Sequence, residues 1–207
     1  ARKLSVFFAG IVFITCLVLV GLTVMIFGNI EDRMKDVLYE NTLQSYKTEV
    51  KSEVQSAISS IEYYYNLSDS GKIDEATAKK DALEALRNLR YGDDDSGYFW
   101  VDDTDYNLVM HPILPEQEGT NRYDLTDKNG VKIIQSIMKT AESGGGFNEF
   151  YFTKSDGKTV APKVAYSQKF DKWNWVITTG IYSDDIHEIV NKSDGLRRIV
   201  KIFNGSA

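Results

Sequence analysis

The chain has 207 residues, of which 43% are hydrophobic, 26% charged and 12% aromatic, with three prolines, one cysteine and two histidines. This composition excludes a disulfide-stapled miniprotein, a collagen-like chain and a disordered tail, and a single cysteine leaves no internal disulfide to form. The net charge of −6 argues against a nucleic-acid partner, whose phosphates call for a basic surface.

Residues 4–30 hold no charged side chain and are dominated by Leu, Val, Ile and Phe. At about 1.5 Å per residue a helix of this length exceeds the roughly 30 Å hydrocarbon core of a bilayer, so residues 1–30 read as one transmembrane helix. Arg2 and Lys3 precede it and Glu31 and Asp32 follow it. The positive-inside rule then places the N-terminus in the cytoplasm of a cell with this inner-membrane anchor, and the remainder in the periplasm or outside. A cleaved signal peptide would have an apolar region of about 7–15 residues and a small-residue cleavage site. This run is longer and ends Phe27-Gly28-Asn29-Ile30; a lipoprotein signal at Cys16 fails because Thr15 precedes it and apolar residues continue beyond. Past the span, 22 basic residues face 30 acidic ones, which describes a soluble, anion-repelling surface unless a local pocket overrides it.

Residues 31–66 contain neither Gly nor Pro and read as one long helix. Tyr46, Val50, Val54, Ala57, Ile61 and Tyr64 form an apolar stripe at steps of three and four. Such a stripe can cover a sheet or form a dimer seam, and its length favours some of both. A break at Ser68-Asp69-Ser70-Gly71 leads into a second helix over residues 74–90.

The pattern then changes to short strands with turn punctuation. Residues 97–101 (GYFWV) and 107–111 (NLVMH) flank Asp102-Asp103-Thr104-Asp105 as a hairpin, and Pro112 and Pro115 end the second strand. Ile133, Ile134, Ile137, Met138 and Ala141 mark a helix over residues 131–142, stopped by Gly144-Gly145-Gly146. Strands follow at 147–153, 160–168 and 175–182, the first two joined by a turn at Ser155-Asp156-Gly157-Lys158. Helices followed by an antiparallel run of strands make an α+β fold, with about five strands forming a small curved sheet that hides one face against the long helix. The domains are thus a span over 1–30, a soluble domain over 31–190 and a basic, membrane-proximal tail over 191–207.

Strand alternation sorts the chemical candidates. Tyr98 and Trp100 share a face of their strand, and Val109 and His111 share a face of the next. Lys163 lies on a face with Ala161, Ala165 and Ser167, where a lysine would be poorly solvated without an anion. A cation, hydrogen-bond donors and aromatic walls are the requirements of a carboxylate site. Tyr151 on the preceding strand would add a phenolic donor, Arg90 a guanidinium at the rim, His111 a further hydrogen bond and Trp100 an apolar wall. Walls of that size suit two- to four-carbon carboxylates, with urea or another small polar molecule as the alternative, since lysine and tyrosine also hydrogen-bond a neutral carbonyl. The aspartates at 93–95, 102, 103 and 105 form no calcium loop and read as turn and solubility residues. No nucleophile elbow, zinc spacing or phosphate loop is present, so neither catalysis, a metal nor a cofactor is expected.

The ordered series GYFWV, turn, NLVMHP, EGTNRYDLTDKNG, amphipathic helix, GGGF, PKVAY and WNWVITTGIY resembles a single Cache domain, over roughly residues 31–190. Cache domains are the extracytoplasmic sensors of bacterial methyl-accepting chemotaxis receptors, histidine kinases and related transducers. The resemblance implies a PAS-like antiparallel sheet, a ligand pocket on one face, and a homodimer along the first helix. It also implies a small organic acid as ligand, of the acetate, propionate, pyruvate or lactate class, and a pocket cation with tyrosines near Lys163, Tyr151 and Tyr98. The segment Asp93-Asp94-Asp95-Ser96 is more acidic and slightly longer than the family's usual turn. A chemoreceptor is the first reading. The alternatives are the input domain of a sensor histidine kinase or cyclic-dinucleotide enzyme, and a membrane-anchored interaction domain without a ligand.

Overall fold

The computed structural model describes residues 2–92, 95–154 and 156–192. Asp93 and Asp94, Ser155 and the basic tail of residues 195–203 lie outside the described residues. Helix α1 spans Arg2–Asp69 and its apolar part is long and apolar enough to cross a membrane. Residues 43–188 form one compact unit, and the apolar start of α1 belongs to another.

Within the compact unit, α2 covers Glu75–Asn88, α3 Ile133–Glu142 and α4 begins at Ser183. The strands are β1 (Trp100–Asp103), β2 (Leu108–Met110), β3 (Gly146–Thr153), β4 (Val160–Phe170) and β5 (Trp175–Tyr182). They form one antiparallel sheet in the order β2-β1-β5-β4-β3. Local chemistry sets the element ends. Asp74 caps α2 by accepting from the Thr77 hydroxyl at 2.6 Å and the Thr77 amide at 2.9 Å, which leaves its carboxyl below the usual range. Gly144 and Gly145, at φ of 99° and 98°, turn the chain out of α3 into β3. Asp127 accepts from the Tyr151 amide at 2.9 Å, covering a donor on edge strand β3.

Both sheet faces are covered, whereas the sequence suggested one. Val50, Val54, Ala57 and Ile61 of α1 pack with Ala78, Ala82 and Leu86 of α2 against Phe99, Val101, Tyr166, Trp175 and Ile177. The opposite face carries Trp100, Phe150, Phe152, Ala161, Ala165, Val176 and Tyr182 beneath Ile133, Ile134, Ile137 and Met138 of α3. The period-2 alternation of β5 divides its residues between the two cores. The stripe on α1 is therefore not a dimer seam at its central positions: Val50, Val54, Ala57 and Ile61 are all 0% exposed within one chain. An apolar stripe satisfied by its own sheet has nothing left to offer a second copy.

Candidate functional site

The site is built from the sheet face beneath α3. Register pairs Lys163 with Phe150 on one side and Tyr182 on the other, so these three side chains share a face. Lys163 is 1% exposed. Its Nζ donates to the Tyr98 hydroxyl at 2.9 Å and to the Tyr182 hydroxyl at 3.3 Å. The ammonium lies 4.2 Å from the Tyr98 ring centre, 4.6 Å from Tyr182, 4.9 Å from Trp100 and 5.7 Å from Phe152. Aromatic faces stabilise a cation but neutralise none of its charge. Among the described residues no carboxylate stands within ion-pair distance of Lys163, and burial pushes its pKa down. Space for the long side chain comes from Ala161 and Ala165 beside it and from Gly180 opposite Ala165, where a Cβ would stand 2.7 Å from the Ala165 Cα.

His111 enters this face through a backbone irregularity. The β1–β2 register shifts between Val101 and Asp102, pairing Val101 with Met110 but Asp102 with Leu108. The extra residue, Val109, packs with Met110 toward the α1 and α2 side of the sheet. A bulge resets the alternation beyond it. Val109 and His111 thus face opposite sides, contrary to the reading from simple alternation. His111 instead packs against Trp100 at 5.9 Å, Tyr98 at 5.4 Å and Phe152 at 5.9 Å between ring centres.

Pro112 follows His111 and has no amide hydrogen, so the imidazole Nδ1 accepts from the next two amides, Ile113 at 3.1 Å and Leu114 at 3.2 Å. That assigns the ring proton to Nε2. Burial, then the positive charges of Arg122, Lys163 and Arg87, hold the pKa of His111 down at about 3. The ring is therefore a neutral donor at physiological pH, and its buried Nε2 has no partner. Its backbone amide donates to Glu118 at 2.8 Å, and Glu118 is gripped by both Nη atoms of Arg87 on α2, at 2.7 and 2.9 Å.

The structure brings together Lys163, Tyr98, Trp100 and His111. It does not bring Arg90 or Tyr151 to them. Arg90 is exposed and donates to the carbonyls of Arg87 and Leu89, both at 2.8 Å, closing the end of its own helix. Tyr151 pairs with Pro162, on the sheet face away from Phe150, Phe152 and Lys163, and its ring lies 3.7 Å beneath the Lys128 ammonium.

Sequence reasoning missed Tyr182, Phe152, Asp102 and Arg122. Tyr182 accepts from Lys163 and donates to the Thr153 carbonyl at 2.6 Å. Asp102 is a strand residue at 0% exposure and not a turn residue. Arg122, from the segment crossing this face, pairs with it, donating through Nε at 3.1 Å and through Nη2. The signal was present: alternation from Trp100 puts Asp102 on the same face, where a buried carboxylate demands a cation.

Residues 42–194 match the family profile Single Cache domain 2. The chain is 34% identical over 159 residues to the sensor histidine kinase MctS of Rhizobium johnstonii, covering 77% of this chain and 33% of that protein. It spans about a third or less of the full-length relatives it matches. Among solved structures it resembles a methyl-accepting chemotaxis protein from Vibrio parahaemolyticus (TM-score 0.64, 32% identity), covering 72% of this chain and 95% of that one. It also resembles a Cache chemosensory domain solved for its recognition of carboxylic acids (TM-score 0.65, 26% identity), covering 69% of this chain and 97% of that one. A five-stranded antiparallel sheet between α1 and α3, an apolar N-terminal helix and this match over residues 42–194 lead to one conclusion: the chain belongs to the single Cache family of extracytoplasmic sensor domains, sensory modules that are not themselves catalytic.

Proposed function

We propose that the domain binds a small monocarboxylate of two to four carbons, such as acetate, propionate, pyruvate or lactate, and reports it as the input of a transmembrane chemoreceptor. One observation carries the reading: Lys163 is a buried ammonium with aromatic walls and no carboxylate partner among the described residues. A buried charge left unpaired costs several kcal/mol, and an incoming anion supplies the missing partner. Support also comes from the relative whose recognised ligands are carboxylic acids. His111 Nε2–H serves as a second donor, and Trp100 and Phe152 exclude water. Arg90 and Tyr151 have no part in it.

Calorimetry with those four acids tests the proposal. At least one is expected to bind, and binding takes up a proton once the pH is high enough to strip the free ammonium. The sign follows from the lowered pKa: the carboxylate favours charged Lys163, so affinity falls as pH rises through the pKa of the free domain. Absence of binding by all four acids would overturn the reading.

A sensor histidine kinase is the second reading, favoured by the 34% identity to such a protein. The gene beyond Ala207 decides between them: a second apolar span followed by long heptads means a chemoreceptor, a kinase core the alternative.

The orientation proposed is N-terminus inside and sheet outside the cytoplasm of an inner-membrane protein, in keeping with periplasmic sensor relatives. An alkaline phosphatase fusion after Tyr182 is expected to be active in a bacterial host, and an inactive fusion reverses the topology. The homodimer is assigned to the outward face of α1, where Gln55, Ser59 and Tyr63 are exposed. In membranes, Ser59→Cys is expected to crosslink to itself and Val50→Cys is not. The opposite pattern would restore the buried stripe as the seam.

A further inference from the structure

Of the side chains that meet at Lys163, Lys163 itself and Trp100 are set by the sheet ladder, whereas His111 lies one residue past the end of β2. Its place depends on the loop that follows. Among the described residues, the imidazole Nδ1 is held by the amides of Ile113 and Leu114, and Nε2 has no partner. One side chain closes that loop. Glu118 reaches back seven residues to accept from the His111 amide at 2.8 Å, and Arg87 of α2 grips the same carboxylate at 2.7 and 2.9 Å. Beside it, the Gly119 amide donates to the Leu108 carbonyl at 2.7 Å and ties the base of the loop to β2. Burial works against an ionised Glu118, but Arg87 and the His111 amide outweigh it and hold the carboxyl below its usual range. The clamp is therefore charged at physiological pH.

We propose that Glu118, braced by Arg87, is the positioning residue of the pocket: it fixes the loop at His111 and so keeps the imidazole turned with Nε2–H free among Tyr98, Trp100 and Phe152, the three rings it shares with Lys163. The placement of the carboxylate carries the inference. A carboxylate on an imidazole nitrogen orients the ring but also favours its protonation. Here the carboxylate takes the backbone amide, and the ring nitrogen takes two neutral amides. The ring is held in place without being charged. Neutrality matters at this position, because the positive charges of Arg122, Lys163 and Arg87 all act on His111, and a second buried cation beside Lys163 would be costly. The use of His111 as a ligand donor rests on the carboxylate reading of Lys163; the orientation of its ring does not.

Nitrogen NMR of the whole chain in lipid nanodiscs, labelled with 15N-histidine, reads the ring directly, because the chain has two histidines and His187→Gln assigns the other signal. In the unsubstituted chain His111 is expected to show a single Nε2–H tautomer, unchanged from pH 8 to pH 5. In Glu118→Ala and Arg87→Met its ring nitrogens are expected to shift toward the average of both tautomers. Calorimetry with acetate, propionate, pyruvate and lactate reads the consequence. For each acid that binds, Glu118→Ala is expected to weaken affinity roughly three- to tenfold, as the loss of one neutral hydrogen bond does. His111→Asn keeps an acceptor for the Ile113 and Leu114 amides but removes the Nε2–H donor. In that background Glu118→Ala is expected to change affinity no further, since it acts through His111. An unmoved ring signature in folded Glu118→Ala and Arg87→Met would overturn the positioning role. So would a full additional loss of affinity in the His111→Asn background. Binding by none of the four acids would overturn the carboxylate reading alone, and the ring signature would still decide the positioning role. Should Glu118→Ala not fold, Arg87→Met carries the same test.

Discussion

Replacing Lys163 by methionine is expected to weaken ligand binding and to stabilise the free domain. The ammonium donates to Tyr98 and Tyr182 and sits over four rings, yet burial leaves it without a countercharge. A charge-assisted hydrogen bond to a carboxylate contributes roughly 1.5–3 kcal/mol, so Lys163→Met or Lys163→Ala should weaken binding by about 10- to 150-fold. Methionine also fills most of the same volume without desolvating a charge. In the absence of ligand its melting temperature should rise by a few degrees, equivalent to about 1 kcal/mol. Alanine leaves a cavity and should not share that gain. Calorimetry and thermal melts of the two variants side by side check both halves. Wild-type affinity in either variant would show that Lys163 is not the anchor. A less stable methionine variant would show that the free ammonium finds its compensation within the protein.

Arg122→Ala is expected to give the largest loss of stability. Asp102 is fully buried, and desolvation already raises its pKa against the pull of Arg122. Removing one partner of a buried pair typically costs about 3–5 kcal/mol, because the other charge is stranded. The pH dependence follows in sign. Without Arg122 the carboxyl of Asp102 rises further above its unfolded value, so the variant is least impaired in acid, where Asp102 is protonated, and loses stability as pH rises through the raised pKa. Urea unfolding of the variant at pH 5 and pH 8 should therefore show the larger deficit at pH 8. Adding Asp102→Asn to Arg122→Met should recover much of the loss, since no unpaired charge is left behind. A loss under about 1 kcal/mol at pH 8 would mean that the pair does not hold its segment to the sheet.

The elements were legible because their signals are local. Spacings of three and four set α2 and α3, period 2 set β3 to β5, and glycines and aspartates set the turns. The apolar start of α1 could be read from the uncharged run of residues 4–30, and the family from the order of its strand motifs. Lys163 stood out because a cation among alanines on a strand face is a local anomaly, and the fold buries it.

What the sequence could not settle depends on contacts between distant residues. Periodicity shows that the α1 stripe must be covered but not by what, and the domain's own sheet takes the place of a second copy. Alternation assigns a side chain to a face only while the register is unbroken. The extra residue at Val109 breaks it and turns His111 toward Trp100. Asp102 and Arg122 are twenty residues apart, and nothing local pairs them. Tyr182 meets Lys163 only because β5 lies beside β4 in one register. The chain by itself determined which segments become helix and strand, where an apolar helix long enough to cross a membrane lies and that one cation stands among alanines on a strand face. Tertiary structure decided which aromatic, imidazole and carboxylate groups surround that cation, because partners chosen by register and sheet order are set by the whole fold at once.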